Sequence, residues 1–181
     1  MATIFTVGHG TRSLDEFLSV LREASVEALA DVRRFPGSRR YPHFGHQAME
    51  RALGEAGVGY RWWGEALGGR RSGIAQSRHS AIRNKSFRAY ADHMDGAEFL
   101  VALEELKSVA NTAPLAIMCS ETLWWRCHRR HLADVLMMDR FEVVHLIDER
   151  SSQTHTLHPA LRTEPDGRPV YDVSERGRLI E

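Results

Sequence analysis

Residues 115–147, LAIMCSETLWWRCHRRHLADVLMMDRFEVVHLI, decide the fold. Leu115-Ala116-Ile117-Met118-Cys119 is a continuous apolar run, too short for an ordinary helix, and reads as a buried strand. Ser120-Glu121-Thr122 interrupts it. The spacing then predicts a helix from about Trp125 to Met138, and Phe141 to Ile147 reads as another strand. Strand, helix and strand in direct succession make a βαβ unit, whose crossover brings the two strands back in parallel.

Working outward, the same alternation repeats. Thr3-Ile4-Phe5-Thr6-Val7 is a β-branched and aromatic strand that stops at Gly8-His9-Gly10. Ser13 with Glu16 forms a capping box, and Leu14, Phe17, Leu18 and Leu21 make one helical stripe to about Ala24. A second strand, Val26 to Val32, ends in Asp31-Val32-Arg33-Arg34. The prolines and glycine of Phe35 to Pro42 forbid helix there and leave a basic loop with aromatics in it. A helix from about His46 to Ala56 closes at Gly57, Gly59 to Trp63 reads as a third strand, and residues 64–83 read as a long polar loop. Helical patterns resume at Phe87 to Met94 and Ala97 to Val109 before Pro114 breaks the chain. The expected fold is α/β, a single domain with a mostly parallel twisted sheet and helices on both faces. It occupies residues 1–150. The polar tail, 151–181, carries the turn Pro165-Asp166-Gly167 between Thr156-Leu157 and Val170-Tyr171, which predicts an edge hairpin on the same domain.

Composition narrows the class. The chain has 181 residues, 43% apolar and 27% charged, enough to bury a core without disulfides. The start, MATIFTVGHG, has neither the charged region nor the long apolar run of a secretory signal, so a cytoplasmic protein with no membrane span is expected. Net charge is zero, but it is divided. Residues 33–88 carry twelve Arg or Lys against three acids, and among all 24 basic residues only Lys85 and Lys107 are lysines. A guanidinium grips phosphate or carboxylate at two points, which an ammonium does not. A general bias toward arginine codons explains the choice of residue, but not its clustering where acids are scarce.

In an open parallel sheet the ligand crevice lies beyond the carboxyl ends of the strands. Here those positions hold His9, then Asp31 and Arg33, then Glu65, then Cys119, Ser120 and Glu121. Glu121 and Asp31 are candidate acid, base or nucleophile, although a carboxylate that only holds an arginine has the same sequence appearance. Cys127, placed in the first turn of the predicted helix and flanked by Arg126, His128 and Arg129, is a candidate thiolate; a small buried core cysteine is the competing reading. Cys119, inside an apolar strand, reads as structural. His9 is a candidate for orienting substrate or moving a proton.

Arg33, Arg34, Arg39, Arg40, Arg70, Trp124, Arg126, His128 and Arg129 are the candidate phosphate- and substrate-binding residues. Aromatics interleave with this charge: Phe35, Tyr41 and Phe44 near Arg33 to Arg40, and Trp124-Trp125 beside Arg126. Guanidinium for phosphate and an aromatic face for a base is a pairing used on nucleotides and single strands. His43/His46, His128/His131 and His155/His158 are each three apart, but none joins a second pair at the spacing of a zinc signature, so no metal and no cofactor are expected.

Thr6-Val7-Gly8-His9-Gly10-Thr11, Asp31-Val32-Arg33-Arg34-Phe35-Pro36 with Ser38-Arg39, Leu67-Gly68-Gly69-Arg70, and Cys119-Ser120-Glu121 followed by Arg126-Cys127-His128-Arg129 resemble the bacterial family called domain of unknown function 488. The resemblance spans about residues 3–148. It implies one α/β domain whose shared polar residues are His9, Asp31, Arg33, Glu121, Cys127, His128 and Arg129. The family usually has serine where this chain has Gly10, so a hydroxyl role there does not carry over. No reaction comes with the resemblance.

Three functions fit these residues. The first is an enzyme directed at a nucleotide or nucleic acid, metal-independent, cleaving an N-glycosidic bond with Glu121 and Asp31. The second is a rhodanese-like sulfur-transfer enzyme with Cys127 as nucleophile. The third is a nucleic-acid-binding module without catalysis. The expected partner is a nucleotide or nucleic acid and not a membrane, with a homodimer left open.

Overall fold

The computed structural model describes residues 1–37 and 39–173. Ser38, quoted above in a motif, and residues 174–181 of the tail lie outside the described residues. The chain is one α/β domain built on a six-stranded sheet.

Strand β1 is Thr3–Gly8, β2 Ala28–Asp31, β3 Gly59–Trp62, β4 Leu115–Cys119, β5 Glu142–Leu146 and β6 Ser152–Thr154. Their order across the sheet is β3-β2-β4-β1-β5-β6, with β1 to β5 parallel and β6 antiparallel at the edge beside β5. Helices α1 (Leu14–Glu23), α2 (His46–Glu55), α3 (Gly64–Leu67), α4 (Lys85–Met94), α5 (Ala97–Ala110) and α6 (Arg129–Met138) fill the connections.

Alternation along β4 shows how the two faces are made. Ala116 and Met118 join one apolar cluster with Phe17 and Leu21 of α1 and Met49 and Leu53 of α2. Leu115, Ile117 and Cys119 join the opposite cluster with Tyr90 of α4, Phe99 and Leu103 of α5, and Leu132 and Leu136 of α6. A strand buried on both faces must be apolar at every position, which is why LAIMC is unbroken. The capping box is present: Ser13 Oγ accepts from the Glu16 N–H, and Glu16 accepts from the Ser13 N–H.

Two consequences of the order place the site. β1 and β4 are neighbours, and the chain leaves β1 toward β2 but leaves β4 toward β5, in opposite directions across the sheet. That divergence opens a crevice at their carboxyl ends. Gly8, the last residue of β1, lets the loop after β4 cross it closely, because a Cβ there would lie 1.9 Å from the backbone oxygen of Glu121.

The structure departs from the sequence expectations at three places. A 3₁₀ turn, Trp124–Arg126, precedes α6, so the helix starts four residues later than expected. The long loop after β3 opens with the single helical turn α3. The tail contributes β6 to the main sheet, whereas its hairpin, β7 (Leu161–Thr163) and β8 (Pro169–Tyr171), is a separate two-stranded sheet. Tyr171 of that hairpin is buried, its ring against His131 and His158.

Candidate active site

A cleft of about 720 Å³ lies where β1 and β4 diverge. Its lining comes from the turns after β1 (His9, Gly10, Thr11), after β2 (Arg33, Arg34, Phe35), after α3 (Gly69, Arg70) and after β4 (Cys119 to Thr122), with Arg126, Cys127 and His128 closing it. Separate stretches of chain thus deliver their polar residues to one space, as expected at a strand-end crevice.

Cys127 forms the floor. It is extended, φ −126° and ψ 151°, between the 3₁₀ turn and α6 rather than inside the helix, and it is 2% exposed. Arg129 Nε donates to its Sγ at 3.4 Å, and His128 Nδ1 lies 3.7 Å from the same sulfur. Burial alone would raise this thiol's pKa. The neighbouring Cys119 thiol and the charge of Arg129 overcome it and bring the thiol down to about 6. Cys119 is driven the opposite way, to about 12, chiefly by the neighbouring Cys127 sulfur and secondarily by burial. Of the two, Cys127 is the thiol that loses its proton more readily.

Arg129 explains the arrangement. It is 1% exposed, yet among the described residues no carboxylate pairs with it. Its donors go to Cys127 Sγ, to Thr6 Oγ1 at 3.3 Å and to the backbone oxygen of Glu121. A buried guanidinium needs an anion, and the Cys127 sulfur is the group placed to supply it.

Asp31 lies behind the cleft rather than in it. It is 0% exposed, and its carboxylate accepts from the Arg33 backbone N–H (3.0 Å), Arg33 Nε (2.9 Å), Arg33 Nη2 (2.6 Å) and Tyr60 OH (2.8 Å). Burial and the Asp31 charge push the Tyr60 phenol well above its ordinary pKa. Glu121, by contrast, is exposed and lines the cleft, its backbone oxygen tied to Arg129. His9 is buried in the cleft wall, stacked on Phe44 with centroids 4.2 Å apart. Burial, then the nearby Arg33, lowers its pKa to about 4, so its imidazole is neutral at physiological pH.

Arg34, Arg70 and Arg126 reach the cleft, and none forms an ion pair among the described residues. Arg34 Nη1 donates to the Arg70 backbone oxygen at 2.7 Å, which joins the two loops. Arg39 and Arg40 are exposed and do not line the cleft. Neither does Trp124: it is buried, stacked on His145 at 4.2 Å, and donates to Gln153 Oε1. Phe35, 64% exposed, and Tyr41 are aromatics of the lining, which also takes Phe87 and Tyr90 from α4.

Cys119, Cys127 and His128 are the one cluster of metal-type donors among the described residues, with donor atoms within 4.8 Å of one another. The Arg129 cation bonded to Cys127 Sγ sets a positive charge against any ion there, and the set fits a thiol pair better than a metal centre.

The model of the family described as "Domain of unknown function DUF488" matches residues 13–136, more than half of the chain. The chain belongs to the DUF488 family. No curated protein and no solved structure matches it. The DUF488 match contains Asp31, Arg33, Glu121 and the Cys127-His128-Arg129 run, and it starts after His9. No helix among the described residues of this DUF488 chain is long and apolar enough to cross a membrane.

Several residues of the site were not candidates on sequence: Tyr90, Phe87, Ser86 and Gly69 in the lining, and Thr6 and His145 behind it. Ser86 to Tyr90 belong to a helix distant in sequence, and nothing in their pattern shows where that helix docks. His145 did leave a signal, a histidine in the otherwise apolar strand Val143-Val144-His145-Leu146.

Proposed function

We propose that this protein is a thiol-dependent transferase of the sulfur-transfer type, with Cys127 as nucleophile and an anionic substrate held by Arg34, Arg70 and Arg126. The observation that carries this reading is the Arg129–Cys127 contact at the cleft floor, because it supplies the ionised sulfur that such chemistry requires. Cys127 Sγ forms a bond to the sulfane sulfur of a donor, the bond from that sulfur to its anionic remainder breaks, and the remainder leaves with the electron pair toward the arginines. A second thiol or other thiophile then takes the sulfur from Cys127 and restores the thiolate. Glu121, at the exposed rim, is placed to accept the proton of that incoming nucleophile.

The nucleotide-directed reading keeps one supporting observation, the pairing of cleft arginines with Phe35 and Tyr41 in the lining. Its two-carboxylate mechanism is less well served, because Asp31 is enclosed and spends its oxygens on Arg33 and Tyr60.

Incubation with thiosulfate followed by peptide mass spectrometry tests the proposal. The expected result is one added sulfur on Cys127, absent in Cys127→Ser and retained in Glu121→Gln. An unmodified Cys127, together with an oligonucleotide- or nucleotide-cleaving activity that Glu121→Gln abolishes and Cys127→Ser spares, overturns it.

A further inference from the structure

Behind Cys127 runs a line of buried polar side chains. Arg129 Nη1 donates to Thr6 Oγ1. Thr6 Oγ1 lies 2.7 Å from His145 Nδ1, His145 Nε2 lies 3.0 Å from His155 Nδ1, and His155 Nε2 lies 2.9 Å from Asp134 Oδ1. Tyr171 OH closes the far end on Asp134 Oδ2 at 2.9 Å. All six side chains are buried, and they come from four separate parts of the fold: β1, β5, α6 and the tail. Arg129 is the member that bonds to Cys127 in the cleft lining.

The proton positions along the line follow from chemistry. A guanidinium only donates, so Thr6 Oγ1 accepts from Arg129, and in the assignment that leaves every donor an acceptor its own hydrogen goes to His145 Nδ1. Burial, then the neighbouring His155, lowers the His145 pKa to about 3, so this imidazole carries one proton, and it sits on Nε2. In the same assignment that proton is donated to His155 Nδ1, and His155 Nε2 faces Asp134 Oδ1. Every donor has an acceptor, and all the bonds point from Arg129 toward the carboxylate. Such a series polarises in one sense and strengthens its members. Trp124, stacked on His145 with an interplanar angle of 9°, fixes that ring in place.

We propose that Thr6, His145, His155 and Asp134 are positioning residues that hold the Arg129 guanidinium against the Cys127 sulfur, a function that rests on the reading of Cys127 as nucleophile. The guanidinium has no carboxylate of its own among the described residues to fix it. Besides the Glu121 backbone oxygen, its orientation comes from this line, anchored at a carboxylate on the opposite end. Loss of a joint lets the guanidinium turn away, and the sulfur then titrates like an ordinary thiol.

The test is the rate at which iodoacetamide alkylates Cys127 in the full chain, followed from about pH 5 to about pH 9 with the modified peptide identified by mass spectrometry. Wild type is expected to reach half its limiting rate near pH 6, with Cys119 unreactive. Thr6→Val, which keeps the shape and deletes the hydroxyl, is expected to move that midpoint upward by about one unit or more, slowing alkylation about fivefold or more at the wild-type midpoint. Thr6→Ser restores the hydroxyl and is expected to restore the wild-type profile. Asp134→Asn, remote from the cleft, is expected to shift it in the same direction as Thr6→Val, and serves in place of Thr6→Val if that variant does not fold. A folded Thr6→Val or Asp134→Asn with the wild-type profile overturns the positioning role while the nucleophile stands. A wild-type midpoint at the ordinary thiol value of about 8.5 overturns the nucleophile and the positioning role with it.

Discussion

The Asp31 carboxylate receives the Arg33 guanidinium at two points, Nε on one oxygen and Nη2 on the other, in a pair closed to solvent. Removal of one partner leaves an uncompensated charge in the interior. Asp31→Ala is expected to cost about 3–5 kcal/mol, read as a lower urea midpoint with an unchanged slope. A cost within about 0.5 kcal/mol, typical of an exposed site, would count against this pair as a structural brace.

A second expectation concerns acid. The folded-state pKa of Cys127 lies below its ordinary value, so the Arg129–Cys127 pair stabilises the fold fully above the unfolded thiol's pKa of about 8.5. That contribution is lost as the pH falls through about 6. The stability difference between wild type and Cys127→Ala, from urea titrations at several pH values, should therefore grow from acid to mildly alkaline pH. A difference that is flat over this range would remove the ion pair.

Anion binding separates two groups of arginines. Arg34→Ala, Arg70→Ala and Arg126→Ala should each weaken inorganic phosphate binding, measured calorimetrically, by about 1.5–3 kcal/mol, a tenfold loss or more. Arg39→Ala and Arg40→Ala, whose side chains lie outside the lining, should leave it within a factor of about two to three, a change of about 0.5 kcal/mol. Equal losses from both groups would show that net charge, rather than the cleft, does the binding.

Gly8 permits no side chain. The Cβ of an alanine would meet backbone, the Glu121 carbonyl, which cannot rotate aside. Gly8→Ala is expected to lose stability at or beyond the upper end of the usual overpacking range of about 1–3 kcal/mol, and to slow Cys127 alkylation because the Glu121 oxygen also holds Arg129. A thermal melt and the alkylation rate check both effects. An alanine variant with wild-type values in both would show that the crossing is looser than described.

Much of this was legible in the residues, and the exceptions have particular causes. The unbroken apolar run of β4 and the polar residues that follow β1, β2 and β4 point to the crevice, since strand ends in a parallel sheet open on one edge, whereas Glu65 after β3 lies in α3 and does not line it. The Asp31–Arg33 pair was legible too: residues two apart on an extended chain share a side, so an arginine there is the carboxylate's nearest partner. Cys127 was misplaced by a few residues because Trp124–Arg126 winds as a 3₁₀ turn, which periodicity does not separate from the first turn of a helix. Trp124 read as a base-stacking residue beside arginine, but its ring turns inward onto His145. Asp134 stands out in Leu132-Ala133-Asp134-Val135-Leu136 as a carboxylate among apolar residues. Its partners His155 and Tyr171 come from the tail, whose docking no local pattern reveals.

That docking has a consequence for the order in which the protein is made. His155 and Tyr171 are supplied after the last parallel strand, so a nascent chain emerging from the ribosome can assemble β1 to β5 while Asp134 still lacks both. On the positioning role proposed for that line, the sulfur at the cleft floor keeps the reactivity of an ordinary thiol until this late segment arrives, and gains its full reactivity only then.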